Sequence, residues 1–429
     1  MQHASLWKRT ALACAIALPL SAHAGSELDQ LKLELAKQRE QIAQQQVLLD
    51  KLSAALDSQQ KQQAEALSAE TAARTQALAA ITPAADAPFG SSAGAATVAK
   101  TQVGGYGEVH YNNGTDDGAG SGRESNGNLH LHRAVIYLGH QFSDTVSFNS
   151  EFEFEGSSDS TEIETEVEQF YIDWKARPNL GLKIGQWLMP VGILNERHEP
   201  DAFYGVERNP VETQIIPSTW WEKGVLASTQ LTPDLSLDLA ASNGLSGDIN
   251  ALGTADGLRE FRQEFGRSST DAGAYTTRLR YTGINGLELA GTVQYQSDIT
   301  QTGAALLGGK ASAVLSELHA DWRNGPFELR ALAARWDIDN ATAKTNGTDV
   351  LQGYYLEPAY RLNEKLGFFA RYNRWNTAYN AAGSKDSAQT NLGLNYWIDP
   401  HVVLKADAQS SNAADNQGDG FNLGVGFSF

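Results

Sequence analysis

Hydrophobic positions follow two rhythms along this chain. Within residues 26–81 they recur every seven as far as Leu56, after which the pattern slips, resuming with Leu67, Leu78 and Ile81. Leu28, Leu35, Ile42, Leu49 and Leu56 form one series, and Leu31 and Leu52 fill the d positions of the same register. Gln38, Gln45 and Gln59 occupy the remaining d positions, and no Gly or Pro interrupts the stretch. A sustained heptad keeps one seam turned toward a partner helix, so this segment predicts a coiled coil. From Gln102 onward the period is two. Phe421, Leu423, Val425, Phe427 and Phe429 alternate with Asn422, Gly424, Gly426 and Ser428. Leu235, Leu237 and Leu239 alternate with Ser236 and Asp238, and Leu392, Leu394, Tyr396 and Ile398 alternate with Asn391, Gly393, Asn395 and Trp397. Residues 82–101, rich in Pro, Ala, Gly and Ser, read as a linker between the two textures.

The connections between alternating segments are themselves of two kinds. Tight turns are expected at Ser143-Asp144, Pro178-Asn179, Pro233-Asp234, Ile284-Asn285, Asn324-Gly325, Asn363-Glu364 and Pro400-His401. Longer polar stretches lie between them, near 113–128, 156–164, 190–220, 244–272, 298–312, 338–350, 377–386 and 411–418. Seven short and eight long connections join sixteen strands. Roughly twenty residues per strand and connection suits transmembrane strands of ~9–11 residues. An even strand number, short turns at one end and long loops at the other are the features of an outer-membrane barrel. The expectation is an all-β fold: a 16-stranded antiparallel transmembrane β-barrel over 102–429, with an N-terminal coiled-coil helix over 25–81 placed in the periplasm. Trp174, Trp187, Trp322, Trp336, Trp375 and Trp397 fall near the expected strand ends, where indole rings favour the membrane interface.

Charge sharpens this picture. The non-aliphatic face of the strands carries Arg133, Glu151, Glu153, Lys183, Arg278, Arg280, Asp321, Arg323, Arg361, Arg371 and Lys405. A packed apolar core could not hold so many ionised groups without a large desolvation cost. A water-filled lumen can, and sixteen strands are enough to enclose one. Further basic candidates for the lumen wall are Lys175 and Arg330. Further acidic ones are Glu108, Glu155, Asp173, Asp238, Glu288, Glu317, Glu328, Glu357 and Asp407. With 51 Asp+Glu against 33 Lys+Arg the net charge is -18, which disfavours nucleic acid as a partner. Residues 1–24 read as a secretory signal: Lys8 and Arg9, an apolar run from Ala11 to Leu20, and an Ala22-His23-Ala24 cleavage site. The single cysteine, Cys14, lies within it, so neither a disulfide framework nor a cysteine metal site is expected.

The longest connection, Pro190 to Trp220, mixes prolines, aromatics and both charge signs. Long loops without a period of their own are usually functional. Folded inward, this one would narrow the pore, with Glu196, Arg197, His198, Glu199, Glu207 and Arg208 as constriction residues; contacts between subunits are the other reading, and one loop can serve both. His130 and His132 flank Leu131 at a spacing that suits a metal, but the sequence supplies no third ligand, so they read as polar rim residues. Asp116-Asp117-Gly118 lacks the full calcium-loop pattern, and no G-x-S-x-G elbow is present. No catalytic residue, metal or cofactor is therefore expected.

The run Val191–Gly224 contains Arg197-His198-Glu199-Pro200, Phe203-Tyr204, Glu207-Arg208-Asn209-Pro210 and Thr219-Trp220-Trp221-Glu222. With Arg133-Ala134, Glu151-Phe152-Glu153 and Gln169-Phe170-Tyr171-Ile172, it resembles the phosphate-selective porin O/P family, over residues 102–429. The resemblance implies a homotrimeric porin in the outer membrane of a Gram-negative bacterium, among outer-membrane lipid and lipopolysaccharide. It also implies passive diffusion of small hydrophilic solutes, including anions such as phosphate or carboxylates. That family's lysine-rich constriction has no counterpart here, since Lys223 stands alone at the loop's far edge. An envelope tether or adhesin, using the surface loops and the coil, is the alternative function.

Overall fold

Alternating side chains with polar turns between them leave each strand one apolar and one polar face, and sheet closure is what satisfies both. The structure is a computed structural model and describes residues 100–114, 127–156, 163–254, 257–412 and 418–429. The expected leader, the coil, the linker up to residue 99 and Asp116-Asp117-Gly118 lie outside the described residues. The strands are β1 (Lys100–Gly114), β2 (Asn128–Gln141), β3 (Val146–Gly156), β4 (Ile163–Arg177), β5 (Leu180–Leu188), β6 (Trp221–Thr232), β7 (Leu235–Ser242) and β8 (Ala274–Ile284). They continue as β9 (Leu287–Gln296), β10 (Ser312–Asn324), β11 (Phe327–Asp339), β12 (Val350–Arg361), β13 (Leu366–Asn376), β14 (Ser387–Asp399), β15 (Val402–Ser411) and β16 (Gly420–Ser428).

Each strand pairs antiparallel with its sequence neighbours, and β1 closes on β16 with Tyr106 opposite Ser428 and Gly114 opposite Gly420. Closure leaves no unpaired edge, the condition for a sheet to sit in lipid. The expected sixteen-stranded barrel is the fold observed. Five of the expected tight turns fall as read. The other two sit one residue later, at Asn285-Gly286 and Gly325-Pro326. Gly286 and Gly325 adopt positive φ, which moves the turn onto the glycine.

Leu129, Val293, Leu318 and Leu392 all face outward, part of the apolar belt. The tryptophans divide. Trp174 faces outward, as does Trp322 on the same parity as Leu318. Trp187, Trp336, Trp375 and Trp397 point inward and are buried, contrary to the interface expectation. Strand parity is the cause: Trp397 shares its face with Asn391 and Asn395.

Two register shifts in mid-strand turn an extra side chain into the lumen; others lie beside the tight turns. In β2, Glu108 pairs with Arg133 and Val109 with Leu131, so His132 is the extra residue. In β4, Glu151 pairs with Gln169 and Phe152 with Val167, so Glu168 is the extra one. A bulge turns two consecutive side chains toward one face. Here it brings His132 inward beside Arg133, and Glu168 inward beside Gln169.

Candidate functional site: a loop folded across the lumen

The connection between β5 and β6, called L3 below, turns into the barrel. Pro190, Pro200, Pro210 and Pro217 limit its conformations. At two positions only glycine fits. Gly192 has φ +75 and a Cβ there would lie 2.5 Å from the Glu212 carboxylate. Gly205 has φ +85 and a Cβ would lie 3.1 Å from the Phe369 ring.

The first half of L3 is held by charged and polar groups. Arg133 donates to the His198 carbonyl at 2.6 Å, to Glu108 at 2.5 Å and to the Tyr106 hydroxyl at 3.1 Å. Arg330 donates to the Ala202 carbonyl at 2.9 Å. Arg371 donates to the Tyr204 and Glu207 carbonyls and is balanced by Glu357 at 2.6 Å. The Val206 amide donates to Asp407 at 2.8 Å, Asn395 to the Phe203 carbonyl at 2.9 Å, and Ser428 to Asp201 at 2.8 Å. The Lys405 ammonium sits 3.5 Å from the Phe203 ring centroid. The bonds from the three arginines and those to Asp407 and Asp201 are charge-assisted, the strong kind.

His198 is the most enclosed of the expected constriction residues. Its Nε2 lies 3.4 Å from Glu151 and 3.3 Å from Glu168, and its Nδ1 is 3.0 Å from the Asn195 carbonyl. Burial alone would lower its pKa. The Glu168 and Glu151 carboxylates outweigh that and raise it to about 10. Glu207 meets His110 at 2.9 Å and Asn112 at 2.9 Å. Arg208 reaches the Ser218 and Thr219 hydroxyls, and burial, then nearby Arg133, pulls its pKa down. Glu196 pairs with Arg278. Arg197 pairs with Glu288 at 2.8 Å and lies 3.6 Å from Asp321. Glu199 meets the Tyr137 hydroxyl at 3.4 Å.

The second half is held by apolar packing. Val211, Ile215, Ile216 and Trp220 join Leu245, Ile249, Leu258 and Phe261 of the β7–β8 loop. They pack on the inward faces of Leu315, Leu332, Trp336, Ile338 and Leu351. Burying each such side chain contributes about 1.5–3 kcal/mol. Within this core Glu212 joins the two ends of L3. It accepts from the Ile193 and Leu194 amides at 2.6 and 2.7 Å, and from Asn209 and the Tyr355 hydroxyl at 2.9 and 2.8 Å. Four donors satisfy a buried carboxylate without a counter-charge.

The structure gives the wall residues different surroundings. Arg133 and Arg371, with Arg330, are buried as clamps on L3 carbonyls. Arg278 is fixed between Asp238 at 2.8 Å and Glu196, and Asp321 is buried. Glu151 and Glu153 lie beneath the loop. Arg323, Arg197 and Arg280 stay open, at 54%, 45% and 37% side-chain exposure. Lys183 covers the Tyr171 ring at 4.9 Å, and Arg361 covers Trp397 at 3.9 Å. On the long-loop side a cavity of ≈ 190 Å³ is lined by His132, Glu153, Glu155, Glu166, Glu207, Arg208 and Arg259 among others. Sequence reading missed Glu212, Glu168 and His110. Glu212 is signalled only as the lone acid between Asn209 and Trp220; the other two need strand register.

The geometry is that of a barrel whose bore is narrowed by its own loop, and comparison with known proteins agrees. Residues 77–426 match the family described as Gram-negative porin. An uncharacterized protein of Aquifex aeolicus (strain VF5) is 30% identical over 338 residues, covering 71% of this chain and 74% of that one. Among solved structures, the outer membrane channel DcaP of Acinetobacter baumannii superposes with TM-score 0.53 at 14% identity, covering 80% of this chain and 100% of that one. The anion-selective porin from Comamonas acidovorans gives TM-score 0.53 at 12% identity, covering 77% and 100%. At these identities the two structures speak for the fold alone. The chain belongs to the Gram-negative porin family and is an outer-membrane channel for small solutes.

Proposed function

We propose that the protein is a diffusion porin in which L3 forms the constriction and Glu196, Arg197, His198, Glu199, Glu207 and Arg208 border it. The observation that carries this reading is the loop itself, turned inward and tied to the strand walls by Arg133, Arg330 and Arg371. Its solutes are small and hydrophilic, and include anions such as phosphate or carboxylates. The open guanidiniums of Arg197, Arg280 and Arg323 at the short-turn mouth support the anionic part. Glu288 and Asp321 among them keep the preference weak, because selectivity follows the net charge lining the passage. The clamp arginines add little, since their charge is neutralised by Glu108 and Glu357. Kinship with the phosphate-selective O/P porins, a homotrimer, a lipopolysaccharide-facing outer surface and a periplasmic coil belong to the same reading.

Reversal potential in a planar bilayer under a KCl gradient tests it. Arg280→Glu with Arg323→Glu should move the preference toward cations, whereas Arg371→Lys should leave it unchanged. A reversal potential indifferent to the mouth charges removes the anionic reading, and absence of current from folded protein removes the porin reading.

A further inference from the structure

Three imidazoles that the channel function leaves unused meet at the long-loop end of the lumen. His110 on β1 stands opposite His130 on β2 in the strand register. The bulge in β2 holds His132 inward as well, and its ring stacks on His110 with centroids 4.4 Å apart and planes at 16°. His130 lies 5.9 Å from His110 and 5.7 Å from His132, ring centre to ring centre. One nitrogen from each ring falls within 4.8 Å of the others. A tetrahedral zinc with ~2.1 Å bonds needs its donors about 3.4 Å apart, so binding requires the partly open His132 ring to turn out of its stack on His110 until its lone pair converges with the others.

We propose that His110, His130 and His132 form a site for a divalent transition-metal ion, with zinc as the best-fitting class. Imidazole nitrogens select such ions over Mg²⁺ and Ca²⁺, which take oxygen donors. The surroundings supply what an imidazole site requires. The His110 nitrogens meet Glu108 at 3.1 Å and Glu207 at 2.9 Å. On binding, one nitrogen releases its proton to solvent and exchanges its carboxylate for the ion, and the other keeps its own. That retained bond fixes the tautomer, as outer-shell carboxylates do in metal sites. The displaced carboxylate is close enough to serve as a fourth ligand. Access runs through the cavity that His132 lines, where four carboxylates, of Glu153, Glu155, Glu166 and Glu207, stand against the guanidiniums of Arg133, Arg208 and Arg259. Because Glu207 belongs to L3, an ion here ties the constriction loop to the β1–β2 wall.

The test is calorimetric titration of ZnCl₂ into the full chain folded in detergent, with excess MgCl₂ present throughout. The parent is expected to bind zinc at this site despite magnesium. His130→Ala with His132→Ala should weaken that binding at least ~10-fold, the lower end of what loss of even an outer-shell partner costs. His132→Gln alone, at a partly open position, guards against a folding artefact and should weaken it in the same direction. Zinc affinity unchanged in both variants, or zinc displaced by magnesium, overturns the proposal. Because the readout is binding rather than current, its failure is distinct from failure of the porin reading.

Discussion

The two halves of L3 occupy one lumen and are held there differently. Ile193–Arg208 sends Ile193, Leu194 and Phe203 into the apolar core but is fixed along its length through carbonyls and charges, by Arg133, Arg330 and Arg371 and by His198 between Glu151 and Glu168. Asn209–Trp220 is fixed by apolar burial against β10–β12 and the β7–β8 loop. The polar half is specific in direction and sensitive to solution conditions. The apolar half rests on burial, which salt does not screen. A constriction needs charge where solute passes, and charge alone, screened and hydrated, is a poor anchor. The structure separates the tasks along the loop, and Glu212 couples the two halves through backbone amides of the first.

Breaking the polar anchor at its root gives the largest expected effect. Arg133→Ala leaves Glu108 buried and the His198 carbonyl without its donor. A buried pair broken on one side costs about 3–5 kcal/mol. Thermal unfolding in detergent should shift accordingly, and proteolysis within residues 196–208 should accelerate while 211–220 stays protected.

The pH dependence sharpens the same contrast. The pKa of His198 is raised on folding to about 10. Its contribution is therefore complete below ~6.5, the ordinary histidine value, and is lost as pH rises through about 10. Channel current noise and loop proteolysis should both rise over that window in the parent and stay flat in His198→Gln.

The smallest effect is expected in the apolar half. Trp336→Phe removes one indole donor from the Ile215 carbonyl, at 2.9 Å, and keeps most of the packing. The cost should be about 1 kcal/mol with no pH dependence, read from the same unfolding curve.

Much of the barrel was legible because a strand in lipid must alternate. Leu235–Leu239 and Phe421–Phe429 declare their faces with no reference to any other strand. The inward wall charges were legible for the same reason, from Lys183 to Lys405. Their duties were not, because Arg371 clamping Tyr204 joins residues 167 positions apart. The inward tryptophans were misread by weighing position along the strand above parity. At β10 and β11, Leu315, Leu332, Trp336 and Ile338 make the inner face apolar, and alternation blurs where a loop packs inside. His110 escaped notice because its meeting with His130 depends on register, and register is set by pairing rather than by either strand alone.

The contacts of L3 also bear on the order in which the molecule is completed. The Val206 amide is bound by Asp407, 201 residues later, and Asp201 by Ser428, 227 residues later. Contacts of such separation form slowly, because a long stretch of chain must be positioned before they exist. The stretch from Pro200 to Val206 leans on strands that are the last to be synthesised, one of which, β16, makes the closing seam with β1. A barrel whose last two strands are not yet in place has a constriction without its Asp407, Lys405 and Ser428 supports. Completion of the wall and setting of the aperture are thus one event in assembly.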